Sequence, residues 1–143
     1  MSWRALRPLR AYPIDLTGTT VDPQIIRVAR QQRALRSYDN ENWEFAGFLG
    51  FAYYLLKQYS QALPWLRECA SRSPNLRASH CWLAATYAQL GNIEKARAEA
   101  AEALRIDPRW TIEGAGMRLN TFKRAEDAEH YFDGLRKAGL PER

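Results

Sequence analysis

The sequence predicts an all-α fold, a solenoid of antiparallel helix pairs with about seven helices, and three observations predict it. A fixed spacing of 34 residues relates Leu49 to Leu83, Tyr53 to Tyr87, Gln61-Ala62 to Lys95-Ala96, Glu68 to Glu102 and Pro74 to Pro108. Within each period the apolar residues recur at helical rather than strand spacing. Each period also closes on a proline, at Ser73-Pro74-Asn75 and at Asp107-Pro108, where helical geometry is disfavoured one residue earlier. A unit of two helices cannot bury its apolar face alone, so successive copies stack and share a core.

The elements follow in order. Residues 1–22 carry Pro8, Pro13 and the turn-prone Thr17-Gly18-Thr19-Thr20, and read as an extended N-terminal arm. The rest, 23–143, reads as one repeat domain. Asp22-Pro23 is a helix start, with Asp as N-cap and Pro in the first turn. A capping helix over 23–37 follows, with Ile25, Val28, Ala29, Gln32 and Leu35 on one stripe. The first repeat, 43–76, places one helix over 42–56 and a second over 60–72, with Pro64 tolerated in the first turn of the latter. The second repeat, 77–110, places helices over 77–90 and 93–106, joined at Gly91-Asn92, where glycine allows a left-handed end. The first repeat has Lys57-Gln58 at that turn, so its turn is expected to be strained or differently shaped. Residues 111–140 form a degenerate C-terminal unit. Its first helix is weakened by Gly114 and Gly116, and its second, 125–137, carries Ala128, Tyr131, Phe132 and Leu135 on one face before the stop Ala138-Gly139-Leu140-Pro141.

Charge is unevenly placed. Residues 1–36 hold seven arginines against two aspartates, an excess equal to the whole-chain charge of +5, while the rest balances 14 basic against 14 acidic residues. Arg4, Arg7, Arg10, Arg27, Arg30 and Arg33 thus form a basic arm, suited to nucleic acid or an anionic surface. No recognised DNA-binding motif precedes the repeats and the arm has few base-reading residues, which leaves this the alternative reading. The longest mostly apolar stretch, Phe45 to Leu56, is too short to span a bilayer, and the N-terminus lacks the apolar core of a secretory signal.

Chemistry finds little footing. Cys69 and Cys81 make neither a metal spacing nor a disulfide framework; they read as reduced, buried thiols, consistent with a cytoplasmic location. His80 and His130 are isolated, and no metal or cofactor site is expected. Glu126, Asp127 and Glu129 near His130 suit the start of a helix, where its dipole favours anions. No phosphate loop and no nucleophile with an assignable base is present, so the chain is not expected to be an enzyme.

At its packing positions the chain resembles the tetratricopeptide repeat family. Leu49, Gly50, Tyr53, Ala62, Leu66, Cys69 and Pro74 match the family's pattern, and Leu83, Ala84, Tyr87, Ala96, Ala100, Ala103 and Pro108 match it again, with Ala100 smaller than usual. The resemblance implies a right-handed solenoid that binds protein or peptide segments in a concave groove. Transferred by position, the groove residues are Glu44, Gly47, Phe48, Phe51, Tyr54 and Leu55, then Ala78, Cys81, Trp82, Ala85, Ala88 and Gln89. The lysines and asparagines by which family members clamp a chain-terminal carboxylate are missing here. The groove reads instead as apolar and aromatic: either core covered by adjoining helices or by residues 1–20, or a surface for a partner, foreign or a second copy in a homodimer. The terminal stretches 122–127 and 131–142 also resemble the C-terminal repeat region of bacterial class III adenylate/guanylate cyclases and related regulators, in which the catalytic or DNA-binding domain precedes the repeats. None precedes them here, so no activity carries over; the chain is either a stand-alone relative, as its leading methionine favours, or a fragment.

Overall fold

The computed structural model describes residues 42–114 and 125–143, with side chains from Ala46 onward in the first segment. The arm, its arginines Arg4, Arg7, Arg10, Arg27, Arg30 and Arg33, the capping helix over 23–37 and the Glu44 side chain lie outside the described residues. Five α-helices are described: α1 (Asn42–Leu55), α2 (Tyr59–Arg72), α3 (Arg77–Gln89), α4 (Ile93–Ile106) and α5 (Ala125–Lys137), and a further helical stretch begins at Ile112. No strand occurs among the described residues.

The helices pack as the repeat demands. α1 lies on α2 and α3 on α4, and the two hairpins join through α2 and α3. Small residues set the crossing distances. A methyl added at Gly50 would sit 2.6 Å from the Leu66 side chain, and one at Gly47 would sit 2.8 Å from Cys69 Sγ. Ala62, Ala96 and Ala103 are fully buried on the second helices, where larger groups would force the pairs apart. Leu49, Leu66 and Leu83 fill the space between.

Three helices end in one motif. At α3, the Gly91 amide donates to the Ala88 carbonyl (3.0 Å) and the Asn92 amide to Tyr87 (2.9 Å), with Gly91 at φ 82°. At α5, Gly139 and Leu140 bond Arg136 and Leu135 in the same way. This is the Schellman ending, in which a left-handed residue lets two amides reach back to orphan carbonyls. At α1 the pattern is unchanged, Lys57 to Tyr54 and Gln58 to Tyr53, both 2.9 Å, but Lys57 is forced to φ 61°. The turn is therefore strained rather than reshaped.

Pro64 departs from expectation. α2 begins at Tyr59, which puts the proline beyond the first turn. Its ring offers no amide to the Ser60 carbonyl, and both residues are exposed.

Candidate partner-binding groove

Residues on α1 and α3 that face away from α2 and α4 form the concave side. Of those assigned from sequence, the structure brings Phe51, Tyr54, Cys81, Ala85 and Ala88 together in the core, and leaves Phe48, Leu55, Ala78, Trp82 and Gln89 half-buried at its margin. It corrects Gly47, which is buried between Cys69 of α2 and Trp82 rather than turned away from α2. Phe51 and Tyr54 are 2% and 1% exposed. They are not an open surface, because α5 lies across them. The cover among the described residues is thus the C-terminal helix; residues 1–20, the other candidate cover, are outside them.

The fit comes from side-chain size. Phe51 and Tyr54 stand one repeat period before Ala85 and Ala88. The alanines on α3 let α5 approach closely, and the rings on α1 wall one side of the trough this leaves. Gly134 sits at the closest point: a methyl added there would lie 2.5 Å from Tyr54 Oη and 2.9 Å from Ala85 Cβ. Tyr131 meets Phe51 edge-on, with centroids 5.2 Å apart, and Tyr54 likewise at 6.0 Å. On the far side Phe51 stacks on Trp82 at 5.4 Å. Such offset and edge contacts are the favourable aromatic geometries. Leu135, Ala138 and Leu140 complete the buried side of α5 and its continuation.

Polar groups within this apolar seat address the helix backbone. Tyr54 Oη donates to the His130 carbonyl at 2.8 Å. Gln89 Nε2 makes longer bonds, to Tyr54 Oη at 3.3 Å, the same carbonyl at 3.4 Å and Asp133 Oδ2 at 3.5 Å, while its Oε1 accepts from Lys137 Nζ at 3.2 Å. Lys137 also pairs with Asp133 at 2.8 Å, and its hydrogen bond holds that carboxyl below the ordinary carboxylate range. Burial pushes the Tyr54 and Tyr131 hydroxyls well above their ordinary value, so both stay neutral hydrogen-bonding groups. It likewise pushes the Cys81 thiol up to about 11, leaving it an inert packing group.

His130 is a packing residue of this seat. Its ring stacks on Tyr54 at 4.6 Å, and its Nε2 lies 2.6 Å from Tyr59 Oη. Burial lowers its pKa, and the positive charge of Lys57 lowers it further. His80 is satisfied on both sides, with Nδ1 2.7 Å from Glu99 Oε2 and Nε2 2.8 Å from the Pro74 carbonyl. It ties the start of α3 to α4 and to the preceding loop. No group of His, Cys, Asp and Glu able to hold a metal occurs among the described residues, and no helix among them is long and apolar enough to cross a membrane.

Sequence reasoning put Tyr131 on the apolar face of the last helix and allowed adjoining helices as the groove's cover, but missed Tyr59, Gly134 and the place where α5 seats. The available signal was the pairing of large Phe51 and Tyr54 with small Ala85 and Ala88 at equivalent positions. Comparison with known families matches residues 44–76 and residues 78–110 to tetratricopeptide repeat models. Neither a curated protein nor a solved structure matches the chain. Residues 44–110 therefore hold two tetratricopeptide repeats, units that generally serve protein–protein interaction and are typically non-catalytic.

Proposed function

We propose that this carrier of two tetratricopeptide repeats is a non-enzymatic interaction module that takes a segment of a partner protein into its concave, aromatic groove. The observation that carries the reading is that this groove already holds a helix, over Phe51, Tyr54 and Ala85. Aromatic anchors in a desolvated pocket dominate binding energy, which assigns the main contacts to Phe51, Tyr54 and Trp82. Phe48, Leu55, Ala78 and Gln89 form the rim, and Glu44 joins it by position. A cytoplasmic signalling or regulatory setting is supported by the two buried thiols and by the resemblance of the terminal stretches to cyclase-associated repeats.

A photo-crosslinking residue at Leu55, compared with one at exposed Ala98 on α4, tests this in cells that make the protein. A dominant adduct with one protein at Leu55 alone is expected. Trp82→Ala then weakens that partner by more than about 2 kcal/mol, the size of a hot-spot truncation. Equal labelling at both positions, or full affinity in a folded Trp82→Ala variant, ends the groove reading.

A further inference from the structure

We infer that the segment this groove accepts is an amphipathic helix built on the pattern of α5, and that α5 holds the site closed in cis until such a helix takes its place. The inference rests on the reading above that the groove is the partner site.

The seat specifies its occupant at three levels. Sterically, α5 crosses α3 at Gly134, where even a methyl group would meet Tyr54 Oη and Ala85 Cβ inside contact distance. An incoming helix therefore needs glycine at the crossing. In side-chain register, the residue three before that glycine is aromatic and set edge-on to Phe51 and Tyr54, and the residue after it is a fully buried leucine. Gly134 and Leu135 stand three and four residues after Tyr131, spacings that put both on the same side of the helix as the ring, so the ligand pattern is aromatic-x-x-Gly-Leu. In main-chain chemistry, Tyr54 Oη and the Gln89 amide meet a backbone carbonyl. Every residue's backbone supplies that acceptor, so these two groups hold the occupant without reading its sequence.

Each hairpin has buried residues of its own, Leu49, Ala62 and Leu66 in the first and Leu83, Ala96 and Ala103 in the second, and Tyr131 and Leu135 of α5 join them in one core. α5 buries one face only: Glu126, Glu129, Arg136 and Lys137 are exposed on the other. If α5 leaves, Tyr54 and Ala85 lose the helix packed on them and Phe51 loses Tyr131, which uncovers apolar surface and favours recapture of a helix. A tethered occupant acts at an effective concentration on the order of millimolar. A foreign helix with only the same contacts competes poorly against that, so a true partner adds contacts at the half-buried rim, foremost Trp82.

The test uses the full-length chain and, as probe, a fluorescent synthetic peptide with the sequence of residues 125–140. Wild-type protein is expected to bind the peptide weakly. The variant Gly134→Leu, whose own α5 no longer fits, is expected to bind the unmodified peptide at least about tenfold more tightly, since its resident competitor is gone. A peptide that itself carries Gly134→Leu should not bind. Amide hydrogen exchange reports whether residues 125–137 are released while α1 to α4 remain protected. If Gly134→Leu does not fold, Tyr131→Ala loosens the same helix without adding bulk and is read in the same way. Release without gain in peptide binding, or no release in either variant, overturns the inference. Because the probe is this chain's own helix, that result leaves the groove reading to the crosslinking experiment, and the two fail separately.

Discussion

The turn between α1 and α2 and the turn between α3 and α4 make the same reverse hydrogen bonds with different residues. One places Gly91 at φ 82°, the other Lys57 at φ 61°. After the first turn Gln58 offers no side-chain cap, while after the second Asn92 accepts the Lys95 amide at 3.3 Å. A backbone shape thus persists where its preferred residues are lost, because the helices on either side over-determine it. Strain of this kind survives only where packing holds it. Lys57 also borders the α5 seat and bears electrostatically on His130, so the strained turn lies beside the groove while the relaxed one lies away from that histidine.

The comparison breaks most severely at the helix crossing. Gly50 and Ala84 are equivalent by repeat, yet only Gly50 stands where a methyl would strike Leu66 at 2.6 Å. Gly50→Ala is expected to cost about 1–3 kcal/mol in urea unfolding, as overpacking does, although alanine is native one repeat later. An unchanged midpoint would mean that Leu66 re-seats freely. Exchanging the turn residues has the next largest effect. Gly91→Lys should destabilise by about 1–2 kcal/mol, the cost of a left-handed residue with a Cβ. Lys57→Gly should stabilise by up to about 1 kcal/mol, since relief of that strain exceeds the entropy glycine adds to the unfolded chain. If both exchanges lower stability, the two turns are not equivalent and Lys57 has another role.

The smallest effect is the dependence on acid. His130 has a native pKa below its ordinary 6.5, so the unfolded or released helix binds the proton first. The α5 contact is unpenalised above that ordinary value, weakens as the pH falls through it, and levels off below the depressed native value. The groups facing the ring are Tyr54, Tyr59, Lys57, Asp127, Asp133 and Lys137. The two carboxylates oppose the shift, and the ring is half-buried, which keeps the effect modest. Unfolding at about pH 7.5 and about pH 5.5 should show lower stability in acid. Lys57→Gly, by removing the second contributor, should flatten the difference; a steeper slope in that variant would reverse the assignment.

Much of this architecture was legible in the chain. The period brings Leu49, Tyr53, Ala62 and Pro74 round again, and the described helices begin and end within a residue of the spans read from that pattern. Periodicity reports which side of a helix is apolar, and so found the Tyr131 and Leu135 face of α5. It does not report what that face meets, because the partner lies about 80 residues away and no repeat unit contains both. Pro64 lies beyond the first turn whether α2 starts at Tyr59 or at Ser60, because a turn holds only about 3.6 residues; the one-residue shift of the boundary does not change that.

The tail that follows α5 has a role of its own. Thr111 Oγ1 accepts the Gly114 amide at 3.0 Å, and the carbonyls of Pro141 and Glu142 accept the amides of Ile112 and Glu113 at 3.0 and 2.9 Å. The start of the helical stretch at Ile112, which precedes α5, is therefore capped in part by residues that follow α5, with Arg136 bracing Glu142 through two further bonds. When α5 lifts, the tail goes with it and two amides lose their acceptors together, so intermediate openings are penalised at both ends. Partner capture would then follow the kinetics of a gate: the observed rate rises with partner concentration and saturates at a ceiling set by the opening of this chain alone.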